Sequence, residues 1–324
     1  MRSPTPLADR LSRALRLGDD ALQRLLPGTP ASRRDGLLAL LTIHDLHTAP
    51  IERLGAVVRW QHHPGVATLK GALEAELIAE LERDDDDAGW DLPDDAVAAL
   101  RMIARTDLVP DVYTWAAERA SAPELVEFLA LEGGPDGGFD DLVACCQIGL
   151  GGEAKVELAR NYWDEMGNGT LEDVHTELHR RLVKALGIAG MPRRLQPTEA
   201  LVRSALGGLL ATNRWLQPEM VGALGLIELQ AGPRCRQVVA GLRRLELPDD
   251  ALPFYLEHAE VDPRHARDWL TKAVAPLVDA NPDWGPGIVR GARWRSVVNA
   301  RFFEAMSARF DGSGVAAAGL AAAS

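Results

Sequence analysis

Leu and Ala recur at helical spacing from about Pro6 to Leu26, again from Arg34 to Leu46, and most strongly from Val66 to Leu81. Residues three and four apart share a face of a helix, so each stretch predicts an amphipathic helix with one apolar stripe. Further helices are expected near 124–132, 138–148, 153–166, 170–186, 196–213, 217–230, 233–245, 249–260, 263–279 and 293–309. Period-two alternation of β-branched residues is almost absent, which predicts an all-α fold. The acidic run Glu82 to Asp87 reads as a solvated turn before a helix beginning at Asp94. Pro110 and Asp111 mark a junction between an N-terminal helical region, 1–110, and a main domain over 111–310. The closing 311–324, rich in Gly, Ala and Ser, is expected to be a disordered tail.

Composition narrows the functional classes. At 324 residues, 47% of them hydrophobic, the chain can bury a sizeable core in one large domain or two modest ones. A formal charge of -12 argues against a nucleic-acid surface, which needs clustered Lys and Arg. No apolar run approaches the roughly 20 residues needed to span a bilayer, and no signal-peptide core follows the first residues. A cytoplasmic location is therefore expected, without membrane or nucleic-acid partners. Cys145, Cys146 and Cys235 form neither a disulfide framework nor a CxxC pattern, and read as ordinary thiols.

Three places carry acidic groups or imidazoles where the pattern asks for apolar residues. The first is His258-x3-Asp262-x2-His265. On a helix turning about 100° per residue these positions fall within roughly 60° of one another, so two imidazoles and a carboxylate share one stripe. Two His with one carboxylate suit iron, manganese or zinc. Equally open on the residues alone is Asp262 as an N-cap with Pro263 at the first helical position. The second place is Glu228, preceded at one and two helical turns by Gly225, Leu224 and Val221, which puts its carboxylate on a face that should be buried. It must find a cation, a hydrogen-bond partner or a proton, unless it lies at a helix end and reaches solvent. The third is Glu165 and His175, on either side of Gly167-Asn168-Gly169. Thr170 to Asp173 has the form of a helix start, so Glu165 closes one helix and His175 lies about one turn into the next. His179, four residues on, adjoins the same face.

The order Glu165, His175, Glu228, then His258-x3-Asp262-x2-His265 resembles the ligand series of the haem-oxygenase-like diiron oxidases and oxygenases, also called iron-containing redox enzymes. The resemblance covers about 111–310 and implies a haem-oxygenase-like helical bundle preceded by an N-terminal helical region. In that family three core helices hold two irons with three carboxylates and three histidines, and no haem is bound. Glu165 and Glu228 would then bridge or cap the irons, His175 and His258 would each bind one, and Asp262 with His265 would complete the set. The resemblance further implies O2 as co-substrate, a small-molecule substrate, an external reductant in some members, and a homodimer formed through the N-terminal helices. The long interval between Glu165 and His175 is closer to the branch that oxygenates nitrogen on an amine or guanidine than to the branch that cleaves carbon–carbon bonds of an amino acid or fatty acid. Members of the first branch recruit one further carboxylate, for which Glu132 is the candidate here.

Three carboxylates and three neutral imidazoles around two ferrous ions leave a net charge of about +1, small enough to bury. Two rivals belong to other classes. A non-catalytic helical scaffold would use the same residues as caps and surface pairs. A zinc hydrolase would need only three or four ligands, fewer than the six candidates present. Haem oxygenase chemistry itself fits poorly, because a carboxylate-rich ligand set is wrong for a haem pocket.

Overall fold

The computed structural model describes residues 5–25, 28–133, 138–188 and 191–311, so the expected tail lies outside the described residues beyond Asp311. Among the described residues the chain is helical throughout and has no strand. In order, the helices are α1 (Leu7–Leu17), α2 (Asp19–Arg24), α3 (Arg33–Thr48), α4 (Ile51–Leu54), α5 (Pro64–Asp87), α6 (Ala96–Thr106), α7 (Asp111–Glu118) and α8 (Ala122–Glu132). They continue with α9 (Phe139–Cys146), α10 (Gly152–Glu165), α11 (His175–Ala185), α12 (Thr198–Thr212), α13 (Gln217–Arg244), α14 (Leu252–Asp268), α15 (Ala275–Ala280) and α16 (Trp284–Asp311). Among the described residues, no helix is long and apolar enough to cross a membrane.

Several boundaries differ from the pattern's expectation. Gly18, at φ 99°, divides the first stretch into α1 and α2. The acidic run is no solvated turn: α5 continues to Asp87, because Asp84 pairs with Arg301 and Asp85 with Arg293 at 2.8 Å, both arginines lying on α16. Opposite charge from a neighbouring helix thus keeps a like-charged segment helical. Pro233 does not break the chain but sits inside α13, which runs unbroken past the expected stop at 230. The last helix starts at Trp284, well before 293.

Helix α13 is the axis of the fold, flanked by α14 and α16. Its glycines set how closely they approach. A Cβ on Gly222 would lie 1.7 Å from the Ile288 carbonyl oxygen of α16, and one on Gly291 of α16 would lie 1.9 Å from that of Glu219. The two backbones therefore touch, and neither position has room for a side chain. At Gly225 the indole of Trp269 fills the space and donates to the Val221 carbonyl at 3.1 Å.

The N-terminal helices do not stand apart. One continuous apolar core contains Leu7, Leu40 and Leu73 together with Leu209, Leu224 and Trp294. A second cluster, around Phe128, Val238 and Phe302, lies wholly within the main region.

The touching backbones make one stability prediction. Gly222→Ala should lower the unfolding free energy by about 3 kcal/mol, measured by urea denaturation. A change within about 0.5 kcal/mol would mean that α13 and α16 do not approach as described.

Candidate metal centre

Helix α10 ends at Glu165, and the chain reverses through Gly167, Asn168 and Gly169, which have φ of 58°, 52° and 90°. Such left-handed backbone favours Gly and tolerates Asn. Space also demands Gly at 167, where a Cβ would lie 2.5 Å from the Asp173 carbonyl carbon. The residues Thr170 to Asp173 do not start the next helix as their pattern suggests. Leu171–Asp173 form a separate 3-10 turn with Leu171 exposed, and α11 begins at His175 itself. The tight reversal sets His175 Nδ1 2.7 Å from Glu165 Oε2.

The triplet lies on one unbroken helix, so Asp262 is not an N-cap. Pro263 occupies the exposed side of α14. The Ala259 carbonyl, which Pro263 cannot reach, accepts from Arg236 Nη1 at 3.3 Å, and this satisfies the gap in the helical ladder. Asp262 and His265 point inward, only 3% and 5% exposed. Immediately after Asp268 the chain widens into a π-helical turn, Trp269–Val274, of the kind that often flanks functional sites. Glu228 is not at a helix end either; it stands midway along α13, 4% exposed.

These elements converge. Ligand-capable atoms of Glu165, His175 and His258 lie within 4.8 Å of one another, and so do those of Glu165, Glu228 and His265. Glu165 is common to both groups. His175 and His258 face each other with ring centroids 4.6 Å apart. His265 Nδ1 is 3.4 Å from Glu228 Oε2 and 3.8 Å from Asp262 Oδ1, which places Asp262 beside the second group without making it a member.

Neighbouring hydrogen bonds fix which atoms face inward. His258 Nδ1 donates to the Phe254 carbonyl at 2.6 Å, leaving Nε2 as its free lone pair. His265 Nε2 donates to Asp164 Oδ2 at 3.0 Å, so its Nδ1 turns toward Glu228. Asp164 is itself paired with Arg264 at 2.7 Å. Burial opposes ionisation of Asp164, but His265 and Arg264 hold it below the usual carboxylate range. Asn161 donates to Glu228 Oε1 at 2.7 Å, leaving Oε2 free. Sequence reasoning missed Asn161 and Asp164. The available signal was position: Asn161 lies one turn before Glu165 on α10, and Asp164 is its immediate neighbour.

The electrostatics are those of a crowded acidic site. Burial, then Glu228 and Glu165, push the Asp262 carboxyl well above its ordinary range. Burial also lowers His258, aided by His175, and keeps it neutral. For His265, burial is outweighed by Glu228 and Asp164, which raise it to about 9. His175 is likewise raised, by Glu165 against burial.

Glu132 joins neither group. Its carboxylate accepts from Tyr113 Oη at 2.8 Å and lies 4.0 Å from Arg203 Nη2. His179 also stays out, its ring packed on Phe254 and its basicity lowered by burial. Both line a cavity of about 790 Å³, which Glu165, His175, His258 and Asp262 also line. Helix α3 of the N-terminal region closes part of that cavity with Leu41 and His44.

The donor set suits a metal. His175 Nδ1 and His265 Nδ1 are buried and face carboxylate oxygens at 2.7 and 3.4 Å without the alignment of a hydrogen bond. Close approach without hydrogen-bond alignment is what results when lone pairs converge on a common point instead of on each other. Without a metal, three buried carboxylates are accommodated only by raising Asp262 toward its neutral form and His175 and His265 toward protonation, protons that a bound cation would replace.

Residues 126–299, more than half of the chain, match the model of a family described as iron-containing redox enzymes. All six convergent residues fall within that span. No curated protein matches the chain.

The raised groups set a pH dependence for the metal-free protein. His265 is raised from 6.5 to about 9 on folding, so its stabilising contribution is complete below pH 6.5 and is lost as pH climbs through about 9. Raised Asp262 adds in the same direction, since ionising it in place is unfavourable. Chelator-treated protein should therefore lose on the order of 2 kcal/mol of stability between pH 6.5 and 9, measured by urea unfolding. Stability that rises over this interval would contradict the placement of His265 between Glu228 and Asp164.

Proposed function

Since the chain belongs to the iron-containing redox enzyme family, and so is an iron oxidoreductase, we propose that it holds two iron ions on Glu165, His175, Glu228, His258, Asp262 and His265 and uses O2 to oxygenate nitrogen on a small amine or guanidine. The observation that carries the two-metal reading is the pair of ligand groups joined at Glu165, with one imidazole nitrogen in each facing a carboxylate without an aligned hydrogen bond. Glu165 sits where a shared ligand belongs. His175 and His258 would hold one ion, and Glu228 with His265 the other, with Asp262 adjacent to the second. Two ferrous ions would supply the electrons that reduce O2, together with open positions at which it is held.

The chain's own residues prepare those positions. Asn161 restrains one oxygen of Glu228 and leaves the other directed inward. The Phe254 carbonyl and Asp164 each hold the far nitrogen of an imidazole, fixing its tautomer and ring angle. The cavity supplies room for a small metabolite beside the ligands. Assignment to nitrogen rests on the length of the Glu165–His175 connection. Glu132, the second ground for it, lends no support, because its carboxylate is engaged by Tyr113 and Arg203. A scaffold role is disfavoured by the cost of burying so many ligand-capable groups with no cation.

The test is to load the chain anaerobically with Fe(II), remove unbound metal, count iron per chain, and then follow O2 uptake and hydroxylated nitrogen products with a panel of amines and guanidines. Two irons and substrate-dependent O2 uptake are expected. His258→Ala should retain one iron or less and lose O2 uptake. Less than one iron in the unaltered chain would overturn the proposal. A further prediction concerns the groups behind the ligands: Asp164→Asn should bind iron about 10- to 100-fold more weakly while remaining folded, as read by competition with a colorimetric chelator. Unchanged affinity would mean that His265 is not a ligand oriented by Asp164.

A further inference from the structure

A second set of charged side chains lines the cavity. Arg203, Arg234 and Arg295 line it, with Tyr113, Glu132 and Asn299. Two of the three arginines have obvious occupations. Arg234 donates to the Asp107 and Leu108 carbonyls at 2.6 and 3.1 Å and lies 3.9 Å from the Asp107 carboxylate. Arg203 donates to the Glu132 carbonyl at 3.0 Å, lies beside its carboxylate, and stacks over Phe302 at 4.3 Å. Arg295 has neither kind of partner. Among the described residues it makes no hydrogen bond and has no carboxylate within salt-bridge distance, and its Nε is buried and orphaned.

An enclosed guanidinium without a counterion is costly, and it stays in a core only where something offsets the cost. The strain shows in its basicity: burial, then repulsion from Arg203 and Arg234, bring Arg295 down to about 9. One turn along the same face of α16, Asn299 is 2% exposed and its amide oxygen also lacks a partner. An amide turned by half a rotation presents two N–H donors instead. Arg203 Nε is orphaned as well. Three residues of the cavity lining thus carry unpaired polar atoms.

We propose that Arg295, assisted by Asn299 and Arg203, binds the carboxylate of the substrate. This rests on the reading of the cavity as the substrate site of the iron centre, and it names the substrate class: a small molecule with a carboxylate at one end and its reacting amine or guanidine at the other. Charge selects the anion. Arg203 has the Glu132 carboxylate beside it and Arg234 that of Asp107, whereas Arg295 has none within salt-bridge distance and is left for an anion in the cavity. A planar guanidinium edge matches the two oxygens of a carboxylate. With the acid held at Arg295, the other end of the molecule is directed along the cavity toward Glu165 and His258. The chain's overall acidity hints at a cationic substrate; the cavity wall specifies that an acidic group accompanies the amine.

The test uses hexanoate as probe on the full-length chain, metal-free and again loaded with Fe(II) without oxygen, by isothermal titration and thermal shift. Hexylamine, inorganic phosphate and chloride at matched ionic strength are the comparison arms. Hexanoate should bind the unaltered chain in both states, and Arg295→Met should weaken it about 10- to 100-fold while leaving iron per chain unchanged. Ligand-free Arg295→Met should melt no lower than the unaltered chain, because it removes an uncompensated buried charge. If Arg295→Met does not fold, Arg295→Lys, which keeps the charge but loses the planar edge, should show weakened hexanoate binding in its place. Equal hexanoate binding by the variant and the unaltered chain, or tighter binding of phosphate or chloride than of hexanoate, would overturn the proposal. Arg295-dependent hexanoate binding in a chain that takes up no iron would leave the acid subsite standing and remove the two-iron reading. Full iron uptake with hexanoate binding independent of Arg295 would do the reverse.

Discussion

Three carboxylates, Glu165, Glu228 and Asp262, are buried within one bundle, and the fold has to accommodate them. A buried carboxylate without a partner is among the more expensive things a core can contain. The arrangement around them follows from that constraint. Glycines let α13 contact α16 at the backbone and α14 pack against its opposite flank, so that Glu228 reaches His265. The turn at Gly167 to Gly169 folds His175 back onto Glu165. Asn161, Asp164 and Arg264 surround the cluster with donors and opposite charge. Without a metal the cluster is balanced only by protons, on Asp262, His175 and His265, and these are what bound cations would displace.

Much of this was legible in the sequence because it obeys helical periodicity. The offsets of His258, Asp262 and His265 predict one stripe of a helix, and they occupy one stripe of α14. Glu228 follows Val221, Leu224 and Gly225 along a buried face, and its side chain is buried there. What failed were boundaries decided by tertiary contacts. The pattern divides α13 into helices at 217–230 and 233–245, and it leaves open a helix start at Asp262. In α14, Arg236 satisfies the carbonyl that Pro263 leaves free, and the helix continues. The acidic run in α5 looked solvated because its arginine partners lie more than 200 positions away on α16. The start of α11 was misplaced by a turn because a plausible cap at Thr170 was used for a 3-10 turn instead.

The acid-binding wall was illegible for a different reason. Arg203, Arg234 and Arg295 look like any other surface arginines in a chain that is one-quarter charged. Only the fold shows that two are matched and one is not. Glu132 illustrates the same point from the other side. The family resemblance suggested it as an extra metal ligand, whereas its carboxylate is engaged by Tyr113 and lies beside Arg203. The cavity thus has two chemically distinct ends, one rich in carboxylate and imidazole, the other in guanidinium. A substrate with two different functional groups would be oriented by that difference alone.

The central claim is that the two ligand groups sharing Glu165 hold two irons. Anomalous scattering at the iron edge, from crystals of the full chain grown anaerobically with Fe(II), measures this most directly. Two peaks are expected, one between Glu165, His175 and His258 and one between Glu165, Glu228 and His265. A single peak, or none at these positions in a chain that has kept its fold, would contradict it.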